Sequence, residues 1–361
     1  MYRRAYTLLI ATALIMGGLA VFVSVKYDRP LLDPEGSFLG PSWVRLPLLL
    51  LLALALDIVP RTLWLSRGLP GRFWPLAQER LRKHWDKERI ILVALGIVSF
   101  YVTYVSYRNL KSNLPFVRDT DPDPDHVSPL EYDWELHIMD KVLFFGHEPS
   151  DVLHGLLGTN LTANILSPIY LFFLPMVPIG VTLWLVWSRN LSYGYWFVTS
   201  QCLCWSLGTL SYYLLPTVGP GIERPGDFEG LDHTATTDLM NSIANARGQI
   251  LNDPTQTEIV NSVAGFASLH CAITLLLALM VQYTLRSKTL NWIVWINFAL
   301  TVVATLYFGW HYVADDIAGV AIAIISFYVG GIASGQKFGL DRGGLRTHPT
   351  TTTSKVPVDA D

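Results

Sequence analysis

Residues 267–330 read ASLHCAITLLLALMVQYTLRSKTLNWIVWINFALTVVATLYFGWHYVADDIAGVAIAIISFYVG. Three apolar runs stand in this stretch, parted by Arg-Ser-Lys at 286–288 and by Gly309-Trp310. Apolar runs of about 18 residues or more read as membrane-crossing helices. His270 heads the first run and His311 the third. About forty residues part them, the length of two crossings and a short linker. The two imidazoles therefore meet at one face of the membrane, each near a helix N-terminus. Asp315 follows His311 at i+4, a spacing that returns to the same helix face. Two histidines and a carboxylate at a membrane surface point to phosphoryl transfer on a lipid.

The rest of the chain agrees with this class. Of 361 residues, 51% are hydrophobic and 15% charged, where soluble domains carry about 25% charged residues. The pattern predicts an all-α integral membrane protein of about eight spans, at roughly 5–25, 43–59, 90–107, 163–188, 193–215, 267–285, 290–309 and 312–333. Arg3 and Arg4 precede the first run as in a signal peptide, but the run is long and lacks a small-residue cleavage site, so an uncleaved span is expected. Cys202, Cys204 and Cys271 all fall in apolar segments and argue against a disulfide framework. The net charge of −3 gives no footprint for nucleic acid, and no such partner is expected.

Charge orients the bundle. Arg61, Arg67, Arg72, Arg80, Arg82, Lys83, Lys87 and Arg89 follow the second span. Arg189, Arg286, Lys288, Lys337, Arg342 and Arg346 follow the fourth, sixth and eighth. With eight spans these linkers share one side, which the positive-inside rule makes cytoplasmic, together with both termini. The stretch 109–162 on the other side holds three Lys/Arg against ten Asp/Glu, DTDPDPD at 119–125 among them. The predicted organisation is an N-terminal two-span hairpin with a basic linker (1–89), a six-span catalytic core (90–335) with acidic outer loops 109–162 and 216–266, and a disordered tail (336–361). Asp57, near the cytoplasmic end of span two, is expected to snorkel or cap. Residues 132–146 read either as an interfacial helix or as a loop helix packed on the bundle. The charge bias fits a bacterial plasma membrane; an endomembrane with a lumenal site reads similarly.

The chemistry needs these residue types. A neutral imidazole attacks phosphorus when a carboxylate holds its other nitrogen, so Asp315 would fix the His311 tautomer. His270 would protonate the leaving oxygen and later take a proton from the acceptor, worth about 10²–10⁴-fold. In PTVGPGIERPG at 216–226, Arg224 is suited to phosphate oxygens. Ser268 and helix N-terminal N–H groups would hold the remaining oxygens, though Ser268 alone reads first as an N-cap. Asp316 lies about 100° round the helix from Asp315 and reads as structural. His126, His137, His147 and His154 match no metal-ligand spacing. Two rival classes stay open. One is an electron carrier with haem held by His270 and His311. The other is a transporter or scaffold indifferent to both.

The motifs resemble those of the type 2 phosphatidic acid phosphatase superfamily. Its first motif is a Lys seven residues before Arg-Pro; here TVGPGIERP keeps Arg224-Pro225 and has Thr217 at the lysine position. Its second, Pro-Ser-Gly-His, stands as ASLH, keeping Ser268 and His270. Its third has an Arg six residues before a His with Asp at +4; TLYFGWHYVAD keeps His311 and Asp315 and has Thr305 for the arginine. Loss of two cations with a Ser-Leu-His second motif is similar to the branch of inositol phosphorylceramide synthases and aureobasidin-resistance proteins. The resemblance covers about residues 90–335 and makes spans one and two an added hairpin. It implies His311 as nucleophile, with no metal or cofactor needed. Thr217, Arg224, Ser268 and Thr305 would lie at the phosphate. A phospholipid donor would give its phosphoryl headgroup to an alcohol, or a lipid or polyprenyl phosphate would give its phosphate to water.

Overall fold

The computed structural model describes residues 3–33, 42–120, 127–252 and 265–338, with short pieces of tail at 340–341, 344–345 and 350–351. The predicted disorder at 336–361 falls largely outside these residues, as do 121–126 of the acidic loop. The fold is helical. The described tail adds only two-residue strand pairings, Gln336–Lys337 with Thr350–Thr351 and Leu340–Asp341 with Gly344–Leu345.

Every predicted span is a helix. α1 (Arg3–Lys26) and α2 (Ser42–Ser66) lead into α3 (Pro70–His84), a short helix in the basic linker. α4 (Lys87–Val117) starts on Asp86, whose carboxylate accepts the Arg89 N–H as a cap. α5 (Asp133–Leu143) and α6 (Pro149–Leu157) form the acidic loop. α7 (Leu161–Leu171) and α8 (Phe173–Val181) continue into a π-helical turn, Thr182–Trp187, as one interrupted span. Pro168, Pro175 and Pro178 withhold N–H donors there and account for the break. α9 (Leu191–Leu214) is capped by Asn190. After α10 (Pro220–Glu223) and α11 (Ala235–Asn252) come the three helices of the opening stretch. These are α12 (Leu269–Thr284), capped by Ser268, α13 (Lys288–Tyr307), capped by Ser287, and α14 (Val313–Ala333).

Six of these elements are long and apolar enough to cross a membrane: Tyr6–Lys26, Leu46–Ser66, Lys87–Val117, Leu161–Trp187, Lys288–Tyr307 and Val313–Ala333. α12 is apolar but has 16 residues. α9 has 24 residues and carries Ser192, Thr199, Ser200, Gln201 and Thr209, all buried. Its polarity follows from its place. α9 packs on α1, α4, α12 and α14, so protein surrounds it and little of it meets lipid. Trp196 donates to the Phe327 carbonyl of α14 at 2.8 Å.

At the basic end, Asp57 is neither snorkelling nor a cap. It is buried, paired with Arg80 through two bonds of 2.9 and 2.7 Å and with the Trp85 indole at 2.9 Å. That network ties α2 to α3 and the start of α4. At the other end, α5 packs on the bundle as a loop helix and leaves apolar side chains on its outer face. Asp133, Leu136, His137 and Asp140 are buried against the bundle, while Trp134, Val142 and Leu143 stay exposed.

Candidate active site

α12 and α14 bring the two histidines together because glycine lets them touch. A Cβ on Gly319 of α14 would strike the Ser268 carbonyl oxygen at the head of α12. The backbones are also joined directly, Ser268 N–H to the Asp315 carbonyl at 2.9 Å. The imidazoles of His270 and His311 then lie 6.2 Å apart, centre to centre.

His311 Nδ1 faces Asp315 Oδ2 at 3.1 Å, and the same oxygen accepts the Tyr312 N–H at 3.1 Å. Nδ1 therefore carries the proton toward the carboxylate, and Nε2 is the nitrogen left for the cavity that His311 lines. Burial lowers the His311 pKa to about 4, against the opposing pull of Asp316, so the ring is neutral at ordinary pH. His270 is fixed by rings. It stacks on Tyr170 at 4.3 Å and 16°, and meets Phe173 at 4.3 Å. Tyr170 also stacks on Trp310, beside His311, at 5.3 Å.

Asp316 is structural, as its helical angle suggests. It accepts the Thr305 hydroxyl at 2.8 Å and the Cys271 thiol at 2.9 Å, which ties α13, α14 and α12 together behind the histidines. Thr305 is thus buried with its hydroxyl on Asp316 and on the Val302 carbonyl, and it does not line the cavity. Ser268 is buried as the α12 cap, accepting from Cys271 N–H at 3.3 Å.

The loop before α10 is welded to the His311 loop. Gly221 N–H donates to the Gly309 carbonyl at 2.7 Å. Gly219, at φ 89°, leaves no room for a side chain against the Trp310 carbonyl. Asp133 of α5 clamps both loops. It accepts the N–H of Val218 at 2.9 Å, that of Gly219 at 2.9 Å and the Tyr312 hydroxyl at 3.0 Å. Burial raises the Asp133 pKa, and those N–H bonds pull it back. Two turns on along the same helical face, Asp140 accepts the Val313 N–H at the start of α14. Burial raises its pKa to about 7. Thr217 is buried in this loop and does not line the cavity. Arg224 bonds Asp227 at 3.1 Å and Glu148 at 3.3 Å, and it too is absent from the cavity wall. His137 meets Glu148 at 2.6 Å and His154 meets the Tyr307 carbonyl at 2.8 Å. No group of three His, Cys, Asp or Glu positioned for a metal occurs among the described residues.

The histidines open into a cavity of about 450 Å³. One face of α4, Phe100, Tyr104, Tyr107, Arg108 and Lys111, forms a wall. Leu171, Leu174, Val177 and Pro178 form the opposite one, and Leu239, Ser242 and Ile243 of α11 cover the end by the loops. Leu174 is 65% exposed on the bundle's flank, so the cavity reaches the surface that lipid would cover. No Asp or Glu lines it. Arg108, Lys111 and Tyr170 have no place in the motifs. The signal for the first two was their position on one helical face with Phe100, Tyr104 and Tyr107.

Fold and site together are those of an integral membrane enzyme. The PAP2 superfamily profile matches residues 134–329, more than half of the chain, and the chain belongs to that superfamily. A stretch of 61 residues is 34% identical to the lipid A 4'-phosphatase of Porphyromonas gingivalis, covering 17% of this chain and 26% of that protein. The match thus spans about a quarter of the relative's length. No solved structure matches the chain.

Proposed function

We propose that the protein removes the phosphoryl group of a lipid phosphate through a phosphohistidine at His311. The observation that carries this reading is the His311 Nδ1–Asp315 contact, placed so that both imidazoles line one carboxylate-free cavity. His311 Nε2 attacks phosphorus, the bond from phosphorus to the lipid oxygen breaks, and that oxygen takes a proton from His270. Water then attacks the same phosphorus and gives its proton to His270. The P–N bond breaks, restoring His311 and releasing phosphate. Asp315 holds the imidazolium that forms in the first step.

The apolar walls and their reach to the bundle's flank support an amphiphile with a long chain, and the lipid A phosphatase likeness agrees with a lipid phosphate. The basic linkers support a site on the extracytoplasmic side and cytoplasmic termini. We take residues 90–335 as the catalytic core, because α4 supplies a wall of the cavity.

A second reading has a specific basis. Thr217 and Thr305 replace two motif cations, as in the inositol phosphorylceramide synthase branch. There an alcohol takes the place of water and the donor is a phosphodiester lipid, whose headgroup phosphate rides on His311. A product assay on detergent-purified protein, wild type beside His311→Ala, tests both. The lipids supplied are phosphatidic acid, polyprenyl phosphate and phosphatidylinositol, with and without alcohols. Inorganic phosphate that depends on His311 supports the hydrolase, and a new phosphodiester that depends on it supports the transferase. Turnover unchanged in His311→Ala overturns the shared mechanism.

A further inference from the structure

We propose that Lys111 of α4 is the cation that grips the substrate phosphate, with Arg108 one turn below it on the same wall. The assignment rests on the phosphoryl-transfer reading of the site and names a binding group that the motifs do not contain. Both residues precede the matched region 134–329.

Four observations carry it. Lys111 and Arg108 line the cavity together with His270 and His311, and no acid does. A phosphate between the imidazoles would otherwise meet the neutral His311 ring, apolar walls and a His270 that is charged only while it carries the proton it transfers, and a buried anion without a lasting countercharge is costly. Second, Lys111 is held by aromatic rings. It lies 5.4 Å from the Tyr212 ring centre and 5.7 Å from that of Tyr107, and it donates to the Tyr107 hydroxyl at 3.4 Å. Cation–π contacts position an amine without supplying a counter-ion, and among the described residues no carboxylate is found on Lys111. Third, the Tyr107 ring that carries Lys111 packs on Trp205 at 4.5 Å and on Tyr212 at 6.1 Å, and all three rings line the cavity that the imidazoles face. Fourth, the motif cation that the sequence retains is engaged elsewhere, Arg224 being held by Glu148 and Asp227 outside the cavity. The site thus moves its positive charge from the loops to a wall helix. A lysine near a span end ordinarily snorkels to the water layer; this one sits over two tyrosine rings inside the cavity.

The test uses the full chain in detergent, with inorganic phosphate as the probe and heat stability as the first readout. Phosphate should stabilise the wild type, and Lys111→Gln should raise the half-stabilising concentration tenfold or more. Lys111→Arg should stay within about threefold, since a guanidinium keeps the charge. In turnover of phosphatidic acid, Lys111→Gln should raise KM more than it lowers kcat. If Lys111→Gln does not fold, Lys111→Met, which keeps the stem against the rings, is read in its place. Phosphate binding and KM equal to wild type in these variants, with His311→Ala inactive, overturn the role of Lys111 and leave the reading of the site intact. A wild type that phosphate does not stabilise overturns it as well. Full activity in His311→Ala brings down the underlying reading instead.

Discussion

Asp133 holds the Tyr312 hydroxyl at 3.0 Å across 179 positions of sequence, and with the same carboxylate it holds Val218 and Gly219. One side chain of a loop helix therefore fixes two loops, one of which carries His311. Asp133→Ala would leave two buried N–H groups without a partner, at about 1–3 kcal/mol each. We expect a lower melting temperature in detergent and at least a tenfold loss of turnover. Asp133→Asn, which keeps an accepting oxygen, should lose less on both measures.

The imidazoles and the carboxylate have separable duties. His311→Ala should abolish turnover, because the attacking nitrogen is gone. His270→Ala should cost about 10²–10⁴-fold, the range of a lost proton donor. Asp315→Asn should slow formation of the phosphohistidine more than its breakdown. Rapid quench with ³²P-labelled lipid separates the two steps.

The pH profile follows from burial. The attacking ring must be neutral, and burial holds His311 down at about 4 instead of the ordinary 6.5. Activity should therefore persist as pH falls through 6.5 and drop only near pH 4. An acid limb at 6 to 7 in initial rates would show that His311 is more hydrated than its burial implies.

Asp140 makes a test with the opposite sign. Its carboxyl is raised from 3.8 to about 7, so between those values the folded protein holds a proton that the unfolded chain has lost. This group's contribution to stability therefore declines as pH rises from about 4 to 7. Asp140→Asn cannot titrate, so its melting temperature should fall less across that window than the wild type's. Parallel curves for the two proteins would refute the shift.

Gly319 sets the spacing of the histidines. A methyl group there meets the Ser268 carbonyl, so Gly319→Ala should push the head of α14 from α12 and cut turnover tenfold or more. Gly18→Ala, in α1, meets nothing within 4 Å and should act as wild type. Equal rates for the two variants would mean that the helices part without disturbing the site.

The spans, the shared end of the two histidines and the His311–Asp315 pair were legible because each rests on local periodicity or on run length. Asp316 was legible as structural from its helical angle. The Lys111 wall was not, because it needs α4 to face α12 across the bundle, and no local pattern reports which helices are neighbours. Arg224 and Thr305 lie off the cavity wall for a related reason. Motif spacing places a residue near a site in sequence, whereas Glu148, on a distant element, and Asp316, on the next helix, decide where its side chain points. Asp57 read as a surface charge because its partners, Arg80 and Trp85, lie on the next elements.

The polar helix α9 bears on how the molecule is made. A segment with Ser192, Thr199, Ser200, Gln201 and Thr209 partitions weakly into lipid by itself. Two of the helices that enclose it, α12 and α14, are synthesised after it. Its retention in the membrane during translation thus depends on segments still inside the ribosome. A chain stopped before residue 265 leaves α9 facing lipid on the side those helices would cover, and quality-control proteases should clear it.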